Sequence, residues 1–251
     1  MPLEATINDV KNKQKTTIFR LGFIGDPSTT VNGLNITGMA AEHESVNGID
    51  IGFSGHGFKE INGVQVRGIN MAQSVRGVSA GLVGVYNHSH GVVANLFNFV
   101  QESYGLSIGF FGGSERNYGI NANILRNNIE DNYGIQICAG WNAGNNHAAR
   151  IGTVNLAKMS DGLDLGIIVK SEKGTGLHAG AYVEATKKFT GIQIGVVCKG
   201  PLKGNYTQLG VVTIRDGEGP WYKRTSPLMG FHRDPVLPDP TTASYVTALK
   251  E

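Results

Sequence analysis

Residues 105–109 read Gly105-Leu106-Ser107-Ile108-Gly109, and the pattern recurs as Gly119-Ile120-Asn121-Ala122 fourteen residues later and as Gly91-Val92-Val93-Ala94 fourteen residues earlier. Working outward from this stretch, the unit starts fall at Gly33, Gly48, Gly63, Gly77, Gly91, Gly105, Gly119, Gly134, Ala148, Gly162, Gly176, Gly191 and Tyr206, always 14 or 15 residues apart. A weaker copy starts at Ile18, with Phe19, Leu21, Gly22 and Ile24 in the matching places. A fixed short period marks a repeat architecture and takes precedence over any local reading of helices and strands.

With the start called position zero, position one holds residues such as Leu34, Ile49, Val64 and Ile120, and position three holds Ile36, Ile51, Val66 and Ile108. Position two between them is Asn35, Asp50, Gln65, Ser79, Asn121, Gln136, Asp164, His178 and Gln193. Such period-two alternation is that of a half-buried strand, so positions one and three are expected to point inward. Position four is often glycine, as in Gly52, Gly81 and Gly109, and the apolar phase then slips by one to residues such as Ile69, Val83 and Phe97, which reads as a corner or bulge.

A unit of two such short strands cannot bury itself alone, but stacked copies can. The sequence therefore predicts an all-β fold, a β-solenoid of about fourteen 14–15-residue coils, on the order of 65 Å long at ~4.8 Å per coil. Like residues then stack: Asn32, Asn47 and Asn62 fit an amide ladder, and the same column becomes Tyr104, Tyr118 and Tyr133. The competing architecture is an up-and-down β-barrel with one strand per repeat. It expects alternation to continue through position four, whereas the phase slips there.

The chain divides into a polar N-terminal segment (1–17), the repeat array (18–219) and a C-terminal segment (220–251) that opens on the turn-rich Asp216-Gly217-Glu218-Gly219-Pro220. Position seven is Val169, Val183 and Cys198 in late units against Asn70 and Asn98 earlier. This reads as a late-coil apolar face open to self-association, and residues 220–232 are expected to cap the end of the array or fold back along that face.

Composition limits the function classes. Of 251 residues 36 are glycine and 8 proline, a bias toward repeated turns and not toward disorder. Charged residues make up 17% and the net charge is +2, so no strong field draws nucleic acid or an anionic membrane. Cys138 and Cys198 supply neither a disulfide framework nor metal-ligand spacing and are expected to pack as small apolar groups. Neither a signal-peptide pattern nor a transmembrane stretch is present, so a cytoplasmic location is the default expectation, with the cell surface the alternative if a leader precedes this chain.

The units Asn62-Gly63-Val64-Gln65-Val66 and Gly191-Ile192-Gln193-Ile194-Gly195-Val196 resemble the N-G-[LIV]-Q-[LIV]-G-[LIV] repeats of bacterial surface repeat proteins. The resemblance covers most of residues 18–214 and implies an exported rod without any particular chemistry.

The most site-like features are the tyrosine column and the irregular stretch Trp141-Asn142-Ala143-Gly144-Asn145-Asn146-His147. Tyr104, Tyr118, Tyr133, Trp141, Asn145 and His147 are the candidate binding residues, aromatic surface supplying contact area and amides supplying hydrogen bonds to a protein or glycan partner. No catalytic residue, metal site or cofactor is implied. His43 between Glu42 and Glu44, or His88 near His90, would make only a crude metal or acid–base cluster, and their repeat positions differ. Asp161 with Asp164, or Glu130 with Asp131, are the nearest carboxylate pairs for a carbohydrate-active enzyme on a β-helix, which is the alternative to a non-enzymatic structural or interaction module.

Overall fold

A computed structural model describes residues 3–8, 15–24, 29–39, 43–201, 203–215 and 225–232. They form a β-solenoid of stacked parallel coils, with no helix among the described residues. In chain order the strands are β1 (Leu3–Asn8), β2 (Lys15–Ile24), β3 (Thr29–Met39), β4 (His43–Val46), β5 (Ile49–Ile61), β6 (Val64–Val75), β7 (Val78–Ser89) and β8 (Val92–Ser103). They continue with β9 (Leu106–Asn117), β10 (Ile120–Asn132), β11 (Ile135–Asn146), β12 (Ala149–Ser160), β13 (Leu163–Gly200), β14 (Tyr206–Arg215) and β15 (Thr225–His232).

Each coil lies on the one before it in the register the repeat specifies. Val64 pairs with Val78, Val78 with Val92, Val92 with Leu106, and Leu106 with Ile120, all in parallel. Pairing stays parallel from β2 to β14 and turns antiparallel only at the two ends, where β1 runs back along β2 and β15 along β14. Thr225–His232 thereby covers the open edge of β14. Residues 220–224, including Trp221 and Tyr222, and the prolines at 235, 238 and 240 lie outside the described residues, as does Glu42.

The corner at the unit start depends on glycine. A Cβ on Gly63, Gly77, Gly91, Gly105 or Gly119 would collide with the carbonyl oxygen of the glycine one coil below. At Ala148 a methyl group enters this column, and the hydrogen bond from the Ala149 amide to the Gly134 carbonyl is 3.3 Å, against 2.7–3.2 Å for the equivalent bonds from Val64 to Leu177.

Which face is inside is the opposite of the expectation. Positions one and three point outward: Ile49, Val66, Ile108 and Ile137 are 40–48% exposed, whereas Asn35, Asp50, Gln65, Ser79 and Gln136 at position two are fully buried. Alternation separates the two faces of a strand but does not say which one is enclosed. Here many amides and charged groups of adjacent coils bond to one another inside the coil, which lets the polar face be enclosed, while Gln136 keeps both side-chain polar atoms without a partner. Asn117 donates to Asn132 at 2.7 Å and Asn132 to Asn146 at 3.0 Å, while Gln208 donates to Gln193 at 2.9 Å.

Two ion pairs lie wholly inside. Arg67 donates from Nε to Asp50 at 2.6 Å and from Nη2 to the second carboxylate oxygen at 2.5 Å, while Asn35 and Gln65 also donate to that carboxylate. Arg150 meets Asp164 in the same two-pronged manner, at 2.7 and 2.8 Å. Position-four glycines leave room for inward side chains: a Cβ on Gly52 would stand 2.6 Å from Nη1 of Arg67, and one on Gly109 would stand 2.7 Å from Oδ1 of the amide Asn123.

The late-coil residues Val169, Val183 and Cys198 are fully buried and form one apolar cluster, so they do not make the outer face expected of them. At this inward column the core changes along the rod, from Asn70, Asn98, Asn127, Asn142 and Asn155 to valine and cysteine. Both cysteines are buried, and burial pushes the Cys198 thiol up to about 11.

Candidate functional site

The residue before each corner glycine is held by the same backbone bond, its amide donating 2.7 Å to the strand end of the coil below in Tyr104, Tyr118, Tyr133 and His147. Identical placement stacks the rings. From His90 through Tyr104, Tyr118 and Tyr133 to His147 the successive centroids are 4.8, 4.8, 5.3 and 4.8 Å apart and the planes within 13° of parallel. Below this ladder the same column carries Asn47 donating to Asn32 at 2.7 Å and Asn62 to Asn47 at 3.1 Å. His90 and His147 extend the tyrosine column by one ring at each end. Their position immediately before Gly91 and Ala148 was the sequence signal for this.

The rings meet face to face, so solvent reaches mainly their edges. Beside them Glu102 accepts from Arg116 at 2.8 Å and from the Tyr104 hydroxyl at 3.2 Å, with His88 Nδ1 also 3.2 Å away. The phenol of Tyr104 is raised above its ordinary pKa by desolvation and by this carboxylate. His147 stands 3.7 Å from both Asp131 and Asp161, and Asn145 donates to Asp131 at 3.0 Å. Five of the six candidate residues, Tyr104, Tyr118, Tyr133, Asn145 and His147, therefore share one surface.

Trp141 does not join them. It pairs in register with Arg126, whose guanidinium lies 5.4 Å from the indole, and this column sits before the next inward residue, Asn142, on another side of the coil. Near it is a groove of about 670 Å³ floored by Phe97, Phe99 and Phe111 and edged by Glu115, Arg126 and Glu130. Gly113, in register with Phe99, leaves a notch where a side chain would stand. In the sequence Gly112-Gly113 reads only as repeat glycine.

One carboxylate pair separates: Asp164 is fully buried against Arg150 and Asp161 faces outward to His147. Glu130 and Asp131 both border a second groove, beside Asn145 and Lys158, with Asp131 also 3.7 Å from His147. Two carboxyls flanking a substrate in one cleft, as glycoside hydrolysis requires, are not formed by Asp161 and Asp164. Of the histidines, His88 lies beside Glu102 while His90 stacks on Tyr104, and His178 lies inside at 3.2 Å from Ser160. Among the described residues no group of three His, Cys, Asp or Glu side chains gathers to hold a metal, and no helix is long and apolar enough to cross a membrane.

An aliphatic strip also lies on the surface. Positions one and three, from Leu34 and Ile36 to Ile192 and Ile194, form two parallel outward columns in which every residue is Ala, Val, Leu or Ile. No family model, curated protein or solved structure matches this chain.

Proposed function

We propose that the protein is a non-enzymatic structural or interaction module that presents a repetitive β surface to a partner. The observation supporting this reading most strongly is the aliphatic double column. Exposed apolar patches of more than a few hundred Å² on a folded protein mark interaction surfaces, and this one runs along the rod without a charged side chain.

Between a protein and a glycan partner, the ring geometry favours a protein. Sugar recognition by aromatics uses ring faces, and in the ladder those faces are occupied by the neighbouring rings. The resemblance to bacterial surface repeat proteins supports a setting outside the cell for such a rod.

The test is a binding panel of glycans and proteins run with the wild type, with Ile135→Lys/Ile137→Lys and with Trp141→Ala/Tyr118→Ala. Loss of a bound protein only in the lysine variant is expected. Glycan binding lost only in the aromatic variant would move recognition to the rings, and polysaccharide turnover by the wild type would overturn the non-enzymatic reading.

A further inference from the structure

Building on the interaction-module reading, we propose that the occupant of the aliphatic strip is a second copy of this chain, packed face to face as a two-fold dimer. Three observations carry it: a fixed pitch, size, and the absence of charge on the strip.

The strip is a β-sheet face whose side chains repeat once per coil, roughly every 4.8 Å. A surface with this pitch is matched by another copy of itself, and two sheet faces pack with interdigitated side chains roughly 10 Å apart. Position three varies between large and small along the rod, with Ile108 between Ala94 and Ala122, so the strip has raised and lowered places. A two-fold axis brings the same patch of both copies together.

The twelve coils from Leu34 to Ile192 extend roughly 58 Å at this pitch, and two side-chain columns are about 14 Å wide. The strip is thus about 800 Å² per copy, the size of a standard stable interface. Closing it buries no ion: the charged side chains Glu102, Arg116, Asp131, Lys158 and Lys170 all stand on other columns. A strip made for an anionic lipid surface would be bordered by lysine and arginine. Here the column beyond the corner glycines is mainly asparagine, tyrosine and histidine, with a single arginine, Arg76, and a single aspartate, Asp161, from Asn32 to Asp161.

Sedimentation equilibrium of the full chain tests the proposal. The wild type is expected at twice the 26.8 kDa chain mass and Ile135→Lys/Ile137→Lys at the single mass, with an unchanged circular dichroism spectrum. Lys158→Glu, on the charged side, stays dimeric. If the lysine pair does not fold, Ile135→Thr/Ile137→Thr reads the same interface, with at least a tenfold rise in the dimer dissociation constant.

A wild type that remains at 26.8 kDa, or strip variants that remain dimeric, overturns the dimer. So does flotation of monomeric wild type with phosphatidylcholine–phosphatidylglycerol vesicles, which assigns the strip to lipid. The broader module reading is judged separately: with a monomeric wild type it stands if the strip variants lose a protein from the panel, and falls if they lose none.

Discussion

At the scale of single residues, the interior polar groups set the energetics. Asp50 lies in one coil and Arg67 in the next, both fully buried, with the carboxylate accepting from Asn35, Gln65 and Arg67. Removing one partner of such a pair leaves an uncompensated charge inside, so Arg67→Met is expected to cost about 3–5 kcal/mol in urea unfolding, and Asp50→Leu/Arg67→Met much less. His178 supplies a pH dependence. Burial holds its pKa below 6.5, outweighing the attraction of Asp164, while Arg150 adds to the depression. The unfolded chain therefore takes up the proton first as pH falls. The stability held by the neutral ring is present above about pH 6.5 and is lost as pH drops toward the folded pKa, by at most about 1.4 kcal/mol per pH unit. Urea midpoints at pH 7.5 and 5.5 are expected to differ less in His178→Gln than in the wild type, and an equal difference would remove His178 from the account. The ladders were legible in the sequence because identical residues recur at the period, as with Asn32, Asn47 and Asn62. The ion pairs were not, since Arg67 and Asp50 occupy different positions of different units and only stacking brings them together.

At the scale of elements, the repeat specified stacked coils and their register through its spacing, but the corner it placed at position-four glycines lies at the unit start, and each coil runs as one strand through position four, as Val78–Ser89 does through Gly81. The repeat did not specify which face of each strand is enclosed. Ile135, Gln136 and Ile137 alternate under either choice, and average hydrophobicity favours the wrong one. What decides it is amide-to-amide bonding between coils, which a single unit does not contain. The C-terminal stop was read at the turn-rich stretch 216–220, whereas the strand Leu3–Asn8 within the polar segment was not, and the antiparallel course of Thr225–His232 along β14 follows from the three-dimensional edge it covers. An uncovered parallel edge recruits other chains. Truncation after Arg215 is therefore expected to give concentration-dependent fibrillar species that bind thioflavin T, in contrast to the discrete species of the full chain; a truncated chain of discrete mass would show that the edge protects itself.

At the scale of the whole molecule, the protein is a rod whose position-two polar groups are turned inward, beside buried apolar residues such as Val46, Ile61, Val75 and Ile129, and whose position-one and position-three aliphatic residues are turned outward along one strip. Candidate site residues chosen from the sequence came together where they shared a column, as the three tyrosines and His147 do, and separated where they did not, as with Trp141. The strip itself was visible as a pattern but assigned to the interior, so its role as a surface emerged only with the fold. The central claim is this inversion, and circular dichroism of Ile137→Lys beside Gln136→Lys tests it most directly. Ile137 faces out and Gln136 is fully buried, so the account expects Ile137→Lys to keep the β spectrum at 20 °C and Gln136→Lys to lose it; a folded Gln136→Lys beside an unfolded Ile137→Lys would contradict it.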